Sequence, residues 1–338
     1  MQPTEQALRN VSDTLAIAMQ HDGSRAALIV ADEQCPLARL LLGTYRQCLP
    51  AADVVLFSDT SPELAKNGFS KLVSGDLVVL IQSSVFRIAD FRIRVELYKL
   101  GIKVIEHSNL SRMLPDEIEH YVAALAYDAA YYRGIGHPLK ARMDLAKTAR
   151  VESGGEVLYF DAPLESAKVN IGDFSSLRNF GSQFPIGEVF TESRDLQAVH
   201  GRACLYAFTD TTMRLNVPDA PITIVVESGR IAFALHSTTA FEEVLAAIRR
   251  DEGEVWIREL GFGMNRGLSR DRRVSDVGAF ERVCGVHLSL GARHGVYKKP
   301  HLHHRQVRYH VDSFVATDGV WLDDQRVFGD GQWRRLDA

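Results

Sequence analysis

The sequence predicts an α/β protein of two domains: a doubly wound parallel-sheet domain over residues 1–150, and a mainly antiparallel α+β domain over 151–338. Two observations carry this. In the first half, short apolar runs rich in β-branched residues alternate with stretches of helical length. From Val151 onward the texture changes to short β-like segments separated by Gly, Pro, Asn and Asp. The chain has 338 residues, 46% hydrophobic and 24% charged, enough for two cores of ordinary size. That composition excludes a disordered chain, a collagen-like repeat and a disulfide miniprotein.

In chain order, Ala26 to Ala31, Asp53 to Phe57, Leu77 to Ile81 and Ile102 to Ile105 read as strands buried on both faces. Pro36 to Cys48 and Ala89 to Leu100 read as the helices between them, with turns at Gly75-Asp76 and Gly101. A long helix is expected over Pro115 to Arg133, with Asp116 and Glu117 in its first turn. The turn after the first strand, Ala31-Asp32-Glu33-Gln34, carries no GxGxxG, so dinucleotide binding has little support. The Ser83-Ser84 pair after the third strand reads as a polar turn at a position where such sheets often hold ligands. In the second half the expected strands include Glu156 to Phe160, Ala203 to Phe208, Ile222 to Val226, Arg230 to Leu235, Val255 to Leu260, Val286 to Leu290 and Tyr309 to Val315. A helix is expected over Ala240 to Arg250.

The net charge of −4 supplies no overall field toward nucleic acid or anionic lipid. No run of 18 apolar residues exists, and Met1 to Arg25 lacks the apolar segment of a secretory signal. The four cysteines, Cys35, Cys48, Cys204 and Cys284, form no CxxC pair, which fits a reducing compartment. A soluble cytoplasmic protein that engages neither nucleic acid nor membrane is the expectation.

Histidine is the uneven residue. Six of the twelve, His287, His294, His301, His303, His304 and His310, fall between residues 287 and 310, and imidazole is a common ligand for divalent transition metals. His301, His303 and His304 lie in the basic run Lys298 to Arg305 and read first as a solvent-exposed loop. His310-Val311-Asp312 would put imidazole and carboxylate on one strand face, either as two metal ligands or as a surface hydrogen-bonded pair. His287 and Ser289 share a face in the same way. Glu259 stands where a strand runs into a glycine-containing turn, and Glu188 follows Pro185 and Gly187. Together these segments supply the carboxylates and imidazoles that a divalent metal site needs.

These segments, "FPIGEVFT", "RELGFGMN", "GVHLSLG" and "YHVDSFVATDGVWLDDQRVFGDGQW", resemble in order those of the aminopeptidase T family of metallo-aminopeptidases. They also resemble that family's 2,5-dihydroxypyridine dioxygenase-like relatives. The resemblance covers mainly Val151 to Ala338. It implies Glu188, Glu259, His287, His310 and Asp312 as metal ligands, with Glu188 also taking part in catalysis. It further implies zinc, cobalt or manganese, up to two ions per chain, activating a water that attacks an amide of a small peptide or aminoacyl substrate. The family places a tyrosine several residues after the His287 position; here that stretch reads Ala292-Arg293-His294-Gly295-Val296-Tyr297, so the resemblance implies His294 or Tyr297 as the catalytic donor. The dioxygenase branch implies one ferrous iron and a histidine where this chain has Glu259. A non-catalytic accessory protein on the same scaffold is the third reading. The resemblance also implies a homodimer or larger assembly. Arg266, Arg270, Arg272 and Arg273 read as a solvated loop, or as a contact for an acidic substrate group.

Overall fold

The structure, a computed structural model, describes residues 3–58, 62–89, 91–175, 180–302 and 307–336. Its chain clusters into two compact units. The first comprises Met1–Arg133, Asn170–Ile186 and Asn265–Phe280; the second comprises Gly134–Val169, Gly187–Met264 and Glu281–Ala338. The chain thus leaves and re-enters each unit. Sequence texture placed one change near residue 150, whereas the first departure falls at Gly134 and two short segments return later.

The first unit is built on a parallel sheet in the order Asp53–Leu56, Ala27–Ala31, Leu77–Ile81, Lys103–His107, Gly181–Gln183. Leu77–Ile81 is buried at every position, as a continuous apolar run should be when both faces are covered. Leu28, Val30, Val78, Leu80 and Val104 pack with Phe57, Phe69 and Leu97 in one cluster. The last strand comes from beyond residue 150. Gly181 at its head has φ +133°, and a Cβ there would lie 1.9 Å from the Val104 carbonyl oxygen, so only glycine permits the pairing.

The helix Pro36–Cys48 falls where apolar spacing puts it, with Pro36 at its first turn. The expected long helix from Pro115 does not run through. A 3-10 turn at Pro115–Glu117 leads into Ile118–Ala124, and a second helix starts afresh at Ala129–Leu145. The break has a local cause: the Asp128 carboxylate accepts from the Tyr131 backbone N–H and caps a new start. Ser83 belongs to the fold, its hydroxyl and backbone N–H both donating to the buried carboxylate of Asp32. In the basic loop, Arg266 pairs with Asp128 at 2.8 Å.

The second unit carries a curled antiparallel sheet. Its core path runs Thr317–Leu322, Ala149–Ser153, Glu156–Phe160, Val199–Thr209, Val311–Val315, Gly285–Leu290, Ile257–Gly263 and Glu188–Thr191. Val199–Thr209 is long enough to serve two partners on one edge, Glu156–Phe160 at its start and Val311–Val315 at its end. Phe241 of the helix Thr239–Glu252 meets Phe208 edge-on at 4.8 Å. All four cysteines are free. Among the described residues no helix is long and apolar enough to cross a membrane.

Candidate metal centre

Four adjacent strands of the second unit build the site by register alone. Glu188 pairs with Gly263, Gly261 with His287, Glu259 with Ser289, and Ser289 with Asp312. Directly opposed residues share a face, and faces alternate along each strand. Glu188, Glu259, His287, Ser289 and Asp312 therefore project to one side, while Val189, Leu260, Phe262, Val286 and Leu288 fill the other.

One position on that face is empty by necessity. A Cβ on Gly261 would lie 2.1 Å from both Cε1 and Nε2 of His287. Without it, the imidazole lies across the neighbouring strand, with Nε2 3.2 Å from Glu188 Oε1 and 3.2 Å from Glu259 Oε1. These three side chains are buried, and their donor atoms all fall within 4.8 Å of one another. His310 and Asp312 form a second group, Nε2 to Oδ1 at 3.2 Å, with His310 keeping 26% of its side chain exposed. The strand begins only at Val311, so His310 sits just outside it, contrary to the expected strand from Tyr309. The two side chains meet nonetheless.

The surroundings are rich in negative charge. Glu188, Glu259, Glu281 and Asp312 are countered among guanidinium groups by Arg282, which pairs with Glu188 Oε2 at 3.0 Å and with Glu281. Burial pushes the Glu281 carboxyl up to about 8, with Glu188 and Asp312 adding to the rise against the pull of Arg282. Burial disfavours charge on His287, but the bonds to Glu188 and Glu259 outweigh it and hold its pKa well above the ordinary value. His310 is raised to about 10, burial again being overcome by Asp312. Glu259 moves the other way: burial pushes its carboxyl up, and the approach of His287 and His294 holds it far below the usual range. Protons on imidazole thus compensate an acidic cluster, a task a cation performs with oxygen and nitrogen donors.

The residues fit a divalent ion on this chain's own terms. Ser289 Oγ and His287 Nδ1 are buried without a hydrogen-bond partner among the described residues, a rare and costly condition for polar atoms. The missing side chain at Gly261 makes room for the His287 ring itself, which brings Nε2 between the two glutamates. The three-residue group gives two hard carboxylates and one borderline imidazole, with a further imidazole–carboxylate pair beside it.

His294 and Tyr297 come from the loop after Gly291, and the structure separates their roles. His294 Nδ1 accepts from the backbone N–H groups of Val296 and Tyr297, so its proton resides on Nε2, 2.9 Å from Glu259 Oε2. The Tyr297 ring lies tilted against that of His294, at 4.8 Å between centroids, but its hydroxyl donates to the Ser166 carbonyl at 2.7 Å. Phe190, on the Glu188 strand, closes the same corner, its ring 6.2 Å from that of His294.

The loop is held by groups that the sequence did not announce. Glu252 accepts from the backbone N–H groups of Ala292, Arg308 and Tyr309, clamping both ends of the insert. Arg258 pairs with Glu192 at 2.7 Å and donates to the Ala292 and Tyr297 carbonyls. Lys299, read from sequence as part of an exposed basic run, is 6% exposed and pairs with Glu165 and Glu192. The error has a physical source: a lysine between histidines looks solvated until a buried acid, Glu192, distant in sequence is brought to it. His303 and His304 lie outside the described residues. Glu281 and Arg282 were also missed, since an adjacent acid–base pair in sequence usually marks a surface.

No family model matches this chain, and no curated protein matches it. Solved structures do. The 2,5-dihydroxypyridine dioxygenase of Pseudomonas putida KT2440 matches at TM-score 0.65 and 14% identity, over 99% of this chain and 98% of that one. AmpT of Thermus thermophilus matches at TM-score 0.57 and 12% identity, over 97% of this chain and 99% of that one. Both scaffolds that the sequence motifs resemble therefore share this fold across nearly their whole length.

Proposed function

We propose that the protein is a metal-dependent hydrolase of aminopeptidase type, acting on an amide of a small peptide or aminoacyl compound. The observation that carries this reading is Glu259: two carboxylates, Glu188 and Glu259, converge with His287, where a ring-cleaving relative is expected to present histidine. Glu188, Glu259 and His287 would hold one divalent ion, with His310 and Asp312 offering donors to a second. Zinc, cobalt or manganese suits that donor set. A bound ion supplies Lewis acidity and lowers the pKa of water.

The chain's own groups do the rest. Arg282 fixes Glu188 through Oε2, leaving Oε1 turned toward His287. His294, its tautomer set by two backbone N–H groups, keeps a proton on Nε2 beside Glu259. It is therefore the better stand-in for the family's tyrosine, because the Tyr297 hydroxyl is committed to Ser166. Tyr297 instead sets the position of the His294 ring. A homodimer or larger assembly belongs to the same proposal, and light scattering tests it.

A second reading, a ring-cleaving dioxygenase with one ferrous iron, is favoured by the higher TM-score to the dioxygenase, 0.65 against 0.57. Elemental analysis of protein purified without added metal or oxygen separates the two. Near two zinc, cobalt or manganese ions per chain, with turnover of aminoacyl amides lost in Glu259→Ala, is the expected result. One iron per chain, with oxygen uptake on dihydroxylated heterocycles, would move the assignment to ring cleavage. No bound metal after reconstitution, and no turnover, would leave an accessory protein.

A further inference from the structure

Among the side chains that share the ligand face, Ser289 is neither acid nor imidazole. Glu259 stands directly opposite it on one neighbouring strand and Asp312 directly opposite on the other. Opposed side chains on one face of a sheet are near neighbours, so the Ser289 hydroxyl is placed between the Glu188–Glu259–His287 group and the His310–Asp312 pair. Ser289 is 0% exposed, and its Oγ has no hydrogen-bond partner among the described residues.

Two acceptors flank the hydroxyl, and it bonds to neither. Glu259 turns Oε1 to His287 and Oε2 to His294, and Asp312 turns Oδ1 to His310. A buried hydroxyl without a partner costs stability, and a methyl in its place does not. An oxygen atom that enters between the two groups and accepts the bond removes that cost. Ser313 supplies a contrast. Its Oγ is likewise buried without a partner among the described residues, but it stands opposite Leu288, on the other face of the same sheet. What distinguishes Ser289 is its place between the two donor groups.

We propose that Ser289 is a catalytic residue whose hydroxyl donates a hydrogen bond to the carbonyl oxygen of the scissile amide, on which negative charge develops during attack by water. The inference rests on the hydrolase reading of the same centre. In a buried site, a fixed donor aimed at that oxygen stabilises the charged transition state more than the neutral ground state. Ser289 forms no covalent bond and keeps its proton throughout.

Ser289→Ala and Ser313→Ala in the full chain test it. Without metal, each variant should unfold at a denaturant midpoint equal to or above that of wild type, since each removes an unpaired buried hydroxyl. Loaded with cobalt, Ser289→Ala should keep metal affinity within about threefold, because no ligand is lost. It should lower kcat on an aminoacyl amide by about a hundredfold with KM little changed, and bind the anion acetohydroxamate about tenfold more weakly. Ser313→Ala should match wild type in all three loaded measurements. A lower midpoint for metal-free Ser289→Ala would make the hydroxyl structural and overturn the proposal. So would a kcat within about threefold of wild type, or equal losses in Ser313→Ala. The hydrolase reading fails separately: wild-type protein that takes up no zinc, cobalt or manganese, or turns over no aminoacyl amide, removes that reading and the role of Ser289 with it. Metal uptake and turnover in wild type, both intact in Ser289→Ala, overturns the role of Ser289 alone.

Discussion

His107 and His287 are both buried imidazoles, one in each unit, and they are treated in opposite ways. His107 Nδ1 meets the Tyr121 hydroxyl at 2.9 Å and Nε2 meets that of Tyr45 at 2.8 Å. Because the Tyr121 hydroxyl donates to the Phe184 carbonyl, it accepts from Nδ1, and Tyr45 donates to Nε2. The ring is neutral and satisfied, and burial lowers its pKa to about 3. His287 lies between two carboxylates, its pKa is raised, and its Nδ1 has no partner. The same residue type at the same depth thus serves packing in one unit and poises charge in the other. What distinguishes them is whether the neighbours close the hydrogen-bond account or leave charge over.

Removing a carboxylate separates the two histidines most sharply. Glu259→Ala should reduce bound metal to near zero and weaken affinity by more than about a hundredfold, read by elemental analysis and chelator competition. His107→Gln should lower stability by about 1–3 kcal/mol and leave metal content unchanged. Equal metal loss in both variants would mean that the two histidines do not differ as argued.

Next in size is the buried network behind the loop. Lys299→Met leaves Glu192 with one cationic partner where it had two, and should cost about 3–5 kcal/mol in denaturant unfolding. A change below about 1 kcal/mol, the value of a surface pair, would return Lys299 to the solvated role its sequence suggests. Chelation should then separate the units. Metal at about a hundredfold over its Kd contributes roughly 2.7 kcal/mol, so stripping it should speed amide exchange in residues 257–263 and 285–290 and leave Leu77–Ile81 unchanged. Uniform acceleration would contradict a site confined to one unit.

His294→Gln should keep the metal and lower kcat by about ten- to a hundredfold, since the ring touches a ligand and not the ion. Loss of metal instead would make His294 a ligand. The last contrast is a pH effect. The folded pKa of His107 is depressed to about 3 from an ordinary 6.5. Its contribution is therefore complete above pH 6.5 and declines as pH falls toward 3, by up to about 1.4 kcal/mol per unit. His107→Gln should flatten that slope in the first unit; an unchanged slope would assign it to other groups.

Much of this was legible in the sequence because it was local. An apolar run of five residues gave Leu77–Ile81 its bounds, a β-like segment opening on Glu156 gave Glu156–Phe160 its own, and Glu188, Glu259 and His287 stood out within recognisable strings. What escaped notice depends on distant partners. Lys299 reads as a surface charge until Glu192 and Glu165 meet it, Arg258 has no sequence mark of its pairing with Glu192, and Glu252 shows its role only once three backbone N–H groups turn toward it. The strand Gly181–Gln183 is too short for any periodicity to announce it. A new helix start at Asp128 was readable in principle, but helical composition on both sides masked the cap.

Gly261 has a consequence of a different kind. It ionises nothing, binds nothing and would be ignored in any inventory of reactive groups, yet a single methyl there occupies the place of an imidazole. The convergence of Glu188, Glu259 and His287 is thus specified as much by a missing side chain as by the three residues themselves. A descendant of this chain could retain every acid and histidine and still lose the centre through one carbon atom, so inheritance of the chemistry is better traced by that missing side chain than by the residues around it.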